Sequence, residues 1–191
     1  TASGEFLHAY PGKMLRELGM AYFDDSSFVE QCFTMSADAK YLFVGAKQIW
    51  RFRVEEAGLV FEQTSRQRQQ RYTYNLAMSD DDRKIALPGS AADAANDDVI
   101  EVFSPRDLTN PTLQMPTGLR PSAVGFDVNQ QYLYASGATG PIAVFDAQGK
   151  RLLATSATRS LKHVVRKIVV FPEGDRAVFV GRETSVVDLR P

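Results

Sequence analysis

The stretch "VGFDVNQQYLYASGATGPIAVFDAQGKRLLA", residues 124–154, reads as four short β-strands joined by turns. Apolar and small residues alternate or run together in pieces of four to six, the length and texture of strands. The pieces fall at about Ser122–Phe126, Tyr132–Ser136, Pro141–Asp146 and Arg151–Ala154, here named a, b, c and d. Between a and b, "DVNQQ" supplies the Asp and Asn of a tight corner; between c and d, "AQGK" supplies a glycine. No long helix is required.

The same phrase recurs along the chain. "FTMSADAKYLFVGA" from Phe33, "LAMSDDDRKIALPG" from Leu76 and "VVFPEGDRAVFVGR" from Val169 each show an apolar strand end, a polar corner and a second apolar strand. Setting Met35, Met78, Phe126 and Phe171 as equivalent gives spacings of 43, 48 and 45 residues. A second landmark, the end of strand c, falls at Phe52, Phe103, Phe145 and Val187, with Tyr10 of "FLHAYPGK" in the same slot; its spacings are 42, 51, 42 and 42. Two landmarks keeping one period mark a repeat protein. "GKMLRELGM" at 12–20 has helical propensity, but aligned with "GKRLLATSA" it takes the d-strand slot, and the strand is preferred.

Four short strands in every 40–45 residues or so predict an all-β chain of β-propeller blades, each a sheet of four antiparallel strands. A single four-stranded sheet is apolar on both faces and must stack against neighbours, with strand a innermost and d at the rim. The predicted units are a c–d half-blade and linker at 1–27, blades at 28–64, 65–116 and 117–157, and an incomplete blade at 158–191. About four periods, starting and ending within a blade, predict a segment of a larger propeller. A small ring of four blades closed by the N-terminal strands is the alternative. Exposed blade faces at each end then call for cover by other protein subunits or by the remainder of the chain.

The corners "MSADAK", "MSDDDR" and "FPEGDR", together with Phe145-Asp146 at the end of a strand c, resemble WD40-type repeats. They correspond to that family's Ser-Pro-Asp-Gly corner and its Trp-Asp dipeptide. The Gly-His that precedes strand a in the family has one counterpart here, Lys162-His163, with lysine in place of glycine. The resemblance implies a propeller whose work is protein interaction, as a scaffold subunit of a complex.

Composition is that of an ordinary globular chain: 191 residues, 44% hydrophobic, formal net charge −1, which gives no global attraction to nucleic acid or acidic membranes. No apolar run reaches the roughly 18–20 residues of a membrane-spanning helix. The single cysteine, Cys32, excludes an intrachain disulfide framework and points to an intracellular compartment, cytoplasmic or nuclear. It falls in a strand a and is expected to be a buried structural thiol. No G-x-S-x-G, P-loop or G-x-G-x-x-G occurs, and "LPGSAADAANDD" at 87–98 reads as a surface loop. His8 and His163, the two histidines, read as structural, Asp80, Asp81 and Asp82 as a solvated corner, and Trp50 as packing between blades. The expectation is therefore a chain that is not an enzyme, with no catalytic residue, no metal and no cofactor. A hydrolase or lactonase-type propeller with its site in the channel is the alternative; near the strand a starts it would have Glu30, Gln31, Asn75 and Arg166 to work with.

Charge placement says more than its total. The d–a connections carry Arg66, Arg68, Arg71, Arg120, Arg159, Lys162, Arg166 and Lys167, whereas the a–b corners carry Asp38, Asp80, Asp81, Asp82, Glu173 and Asp175. In a propeller these connections lie on opposite faces. The acidic runs at 24–27 and 93–98 interrupt the basic face. That face is the candidate partner site, suited to an acidic protein segment or to a nucleic-acid backbone.

Overall fold

The computed structural model describes residues 32–45, 48–65, 75–88, 99–118, 121–137, 142–152 and 164–189. The predicted half-blade at 1–27, with His8, Tyr10 and "GKMLRELGM", lies outside the described residues. Every regular element among those described is a β-strand, in four antiparallel sheets. The first holds β1 (Cys32–Met35), β2 (Tyr41–Gly45), β3 (Ile49–Glu55) and β4 (Gly58–Thr64). The second holds β5 (Ala77–Met78), β6 (Ile85–Pro88), β7 (Val99–Phe103) and β8 (Leu113–Pro116), and the third β9 (Pro121–Phe126), β10 (Tyr132–Gly137), β11 (Ile142–Asp146) and β12 (Arg151–Leu152). The fourth holds β13 (Val165–Val170), β14 (Arg176–Gly181) and β15 (Thr184–Asp188). In each, the strands pair with their neighbours in chain order.

One corner is built four times. The first residue of each a–b turn, Ser36, Ser79, Asp127 or Phe171, donates its N–H to the carbonyl five residues on, and its own carbonyl accepts from the N–H three residues on. The third residue after it is left-handed in every case: Ala39 (φ 57), Asp82 (φ 55), Gln130 (φ 57) and Gly174 (φ 72). Polar side chains hold the corners. Ser36 Oγ donates to Asp38 Oδ1 and Ser79 Oγ to Asp81 Oδ1, both at 2.7 Å, and the Asp127 carboxylate accepts from Tyr132 N at 2.7 Å. These are Asx- and Ser-type turns, in which a short polar side chain substitutes for backbone partners.

The shared corner corrects one alignment. Met35, Met78 and Phe126 stand immediately before it, and so does Val170, not Phe171. The register agrees, because Met35, Met78, Phe126 and Val170 pair with Leu42, Ile85, Leu133 and Ala177. The first landmark therefore runs at 43, 48 and 44 residues. The apolar run "KIVVF" hides the slip, since one more apolar residue extends the pattern into the corner. The strand c landmark holds: Phe52, Phe103, Phe145 and Val187 are all buried and lie opposite equivalent residues of strand b.

Alternation gives each sheet two apolar faces, and the sheets stack by them in chain order. Phe43 and Ile49 of the first sheet pack on Ile85, Leu87 and Phe103 of the second. Ala86, Ile100, Val102 and Met115 pack on Val124, Leu133, Ala135 and Phe145 of the third. Ala123, Tyr134, Ile142 and Val144 pack on Ile168, Ala177, Phe179 and Val187 of the fourth. Polar ties reinforce the stack: Arg51 donates to the carbonyls of Pro105 (2.8 Å) and Arg106 (2.9 Å), Arg151 to that of Thr117 (2.9 Å), and Ser122 to that of Val165 (2.8 Å).

Two sheet faces have no such partner among the described residues. On the first sheet, the face turned from the second carries Phe33 (70% exposed), Met35 and Phe61 around the buried Trp50 and Phe52. On the fourth, the face turned from the third carries Val169 and Val186 (58% exposed). Trp50 thus packs away from the second sheet, and its indole N–H has no acceptor among the described residues.

Candidate functional site

The innermost strands β1, β5, β9 and β13 lie beside one another in chain order and line a common cavity of about 490 Å³. Its walls include Phe33, Met78, Val128 and Val169, Asp80 stands at the corner end, and Arg166 and Lys167 line it from β13. Asn75 also lines it; this buried side chain is occupied structurally, its Oδ1 accepting from Val124 N at 2.9 Å and so tying the second sheet to the third.

A bulge sets the basic pair. On β13, Val165 lies opposite Gly181 and Lys167 opposite Val180, so Arg166 is the extra residue. In a regular strand, adjacent side chains point to opposite faces. A bulge re-aims them; β9 carries the same bulge with Ser122 as its extra residue, and on β13 both Arg166 and Lys167 border the cavity. The local backbone needs glycine across the ladder: a Cβ on Gly181 would clash with the Val164 carbonyl oxygen. A second glycine sets the spacing of the inner strands. A Cβ on Gly125 of β9 would lie 2.8 Å from the carbonyl oxygen of Ile168 on β13.

Of the basic residues expected to form a partner face, Arg166 and Lys167 are exposed on β13, and Arg66, Arg68, Arg71, Arg120, Arg159 and Lys162 lie outside the described residues. So do Glu30, Gln31 and His163, and Cys32 falls in β1 opposite Gly45. The aspartate run does more than solvate a corner. Asp81 accepts from the Ser79 hydroxyl and from Arg83 N (3.0 Å). Asp82 Oδ2 accepts from Ala37 N at 2.7 Å, joining the corner of the second sheet to that of the first. Burial acts to raise the pKa of Asp81, but hydrogen bonds from Ser79, Arg83 and the Gln130 side chain of the third sheet's corner outweigh it and hold the carboxyl below its usual value. The Ser36 hydroxyl, with the Lys40 N–H and ammonium, lowers Asp38 to about 2. Among the described residues, no group of three or more His, Cys, Asp and Glu is placed to hold a metal ion, and no helix is long and apolar enough to cross a membrane. Sequence reading missed the corner-to-corner links, which depend on contacts between units, and it missed the bulge, which no residue type signals.

No protein-family model matches the chain, and no curated protein matches it in sequence. Among solved structures, the hydrazine synthase of Kuenenia stuttgartiensis shares its fold, with a TM-score of 0.62 and 14% identity over 87% of this chain. The chain spans about half of that structure, 49% of its length. This likeness corrects the expectation that the chain is not an enzyme: the fold it adopts also builds an enzyme, so the lack of a familiar nucleophile motif excludes nothing. At 14% identity the likeness carries the architecture, and the reaction named for that protein stays with that protein. The chain is all-β, a series of stacked antiparallel meanders of a kind that 893 chains of solved structures resemble.

Proposed function

We propose that the chain is a segment of a WD40-like β-propeller, and that it serves as a protein-interaction module within a larger protein or complex. The observation that carries this reading is the pair of uncovered apolar sheet faces. Each internal interface joins the forward face of one sheet to the rearward face of the next, burying Phe145, Ile85 or Phe179 completely or almost so. The rearward face of the first sheet and the forward face of the fourth are the same two kinds of surface, and they leave Phe33, Phe61 and Val186 in solvent. Contiguous apolar surface of this kind marks an interaction site. Further sheets, from the same protein or another subunit, fit it.

The basic residues of the d–a connections, Arg66, Arg68, Arg71, Arg120, Arg159 and Lys162, together with Arg166 and Lys167, which the sequence reading put in a connection but which stand at the start of strand β13, add a docking face for an acidic protein segment. The single cysteine supports an intracellular setting. The test is sedimentation of the purified chain against Phe61→Asp and Val186→Asp, one charge on each uncovered face. Concentration-dependent association that both variants abolish, with unchanged melting curves, is the expected result. A chain that stays monomeric at high concentration and captures no partner through these faces refutes the reading.

A further inference from the structure

Resting on the interaction-module reading, we propose that the cavity between the inner strands is a binding site for an acidic peptide segment that places a carboxylate beside an aromatic or aliphatic side chain. The argument is charge and shape together. Two adjacent cations, Arg166 and Lys167, border one cavity from the bulged start of β13. The remaining wall is mixed: Thr34, Asn75 and Asp80 stand among apolar residues, of which Phe33 of β1 is 70% exposed and Val169 of β13 itself 46% exposed. A volume of about 490 Å³ lies in the range of built ligand sites, and such sites combine an apolar lining with a few convergent polar groups.

Asp80, at the corner end, gives the cavity a direction. A peptide enters with its anion toward Arg166 and Lys167, because the opposite orientation sets carboxylate against carboxylate. The Phe33 ring, at the edge where the uncovered face of the first sheet meets the cavity, supplies the stacking surface. Nucleic acid fits less well: a backbone-tracking groove needs cations spread along it, and here they sit at one point with an aspartate on the same path.

The experiment is fluorescence anisotropy with a fluorescein-labelled peptide of alternating glutamate and phenylalanine, against a lysine–phenylalanine peptide and an oligothymidylate of similar length. The acidic peptide is expected to bind, more weakly as salt rises. Lys167→Glu should weaken it about tenfold or more, since a like charge replaces the pairing one; Lys167→Arg should retain binding, and Phe33→Ala should weaken it several-fold at constant salt slope. Melting curves of Lys167→Glu and Lys167→Arg that superimpose separate binding from folding. Equal binding of the lysine peptide, tighter binding of the oligothymidylate, or indifference to Lys167→Glu overturns the proposal. The Phe61 and Val186 variants lie outside the cavity, so failure here leaves the sedimentation result standing, and failure there leaves this one.

Discussion

Replacing Gly125 by alanine tests whether the inner strands are held at a glycine-set distance. In an open strand, glycine to alanine stabilises by about 0.4–1 kcal/mol, because the unfolded chain loses freedom. Gly125 has no left-handed φ, so backbone strain is not at issue. The added Cβ would stand 2.8 Å from the Ile168 carbonyl oxygen, 3.0 Å from Ile168 Cβ and 3.1 Å from Ile168 Cγ2, where ordinary contact begins near 3.4 Å. About 0.6 Å must therefore open between β9 and β13. Neither side yields alone: Gly125 is paired with Tyr134 and Ile168 with Phe179, and Ile168 is itself wedged in the core between the third and fourth sheets. Overpacking of this kind costs about 1–3 kcal/mol, which for a chain of this size lowers the melting midpoint by roughly 2–12 °C. Gly174→Ala is the control. Its Cβ would meet nothing within 4 Å, but φ is 72°, so it carries conformational strain without a clash and costs about 1–2 kcal/mol. Calorimetry of both variants separates the two effects. A Gly125→Ala chain as stable as the parent, or more so, refutes the close approach and with it the side-by-side placement of the inner strands.

Ala39→Gly should stabilise by about 0.5–1 kcal/mol by relieving a left-handed alanine, whereas Asp82→Gly should gain nothing, because it also breaks the 2.7 Å bond to Ala37 N; urea melts of the pair give the comparison. Arg51→Leu should cost about 1–3 kcal/mol, read by the same melts, since it leaves the Pro105 and Arg106 carbonyls without their guanidinium donor. Acid should loosen the corners. The carboxyl of Asp38 is depressed in the folded chain to about 2 from 3.8, so its contribution is fully present above pH 4 and fades as pH falls toward 2. Asp81 and Asp107 shift in the same direction. Thermal midpoints measured across that window should fall, and less steeply in Asp38→Asn.

The repeat was legible because its signals are local. Strand a of the third unit was expected at Ser122–Phe126 and spans Pro121–Phe126; strand b was expected at Tyr132–Ser136 and spans Tyr132–Gly137. Corner residues and period-2 alternation act within a few positions, so one chain suffices to read them. The slip at Phe171 shows the limit. With "KIVVF" apolar throughout, nothing local says where the strand ends, and the turn's hydrogen bonds decide it. Interactions between units were invisible for the same reason: Asp82 to Ala37, Asn75 to Val124 and Gly125 against Ile168 each span more than forty residues.

These unit-to-unit contacts share a logic that bears on function. Each places a polar group or a glycine of one unit on the backbone of a neighbouring unit, so the units are locked in phase by main-chain contacts. Such locking frees the inner strands to vary. Where the first three units put Cys32, Asn75 and Ala123 at the position of Lys167, the fourth puts a cation, and beside it Arg166 takes the bulge position that Ser122 holds in the third unit. A change of charge at exposed positions of the inner strands, which packing does not demand, is where a property particular to this chain should be sought.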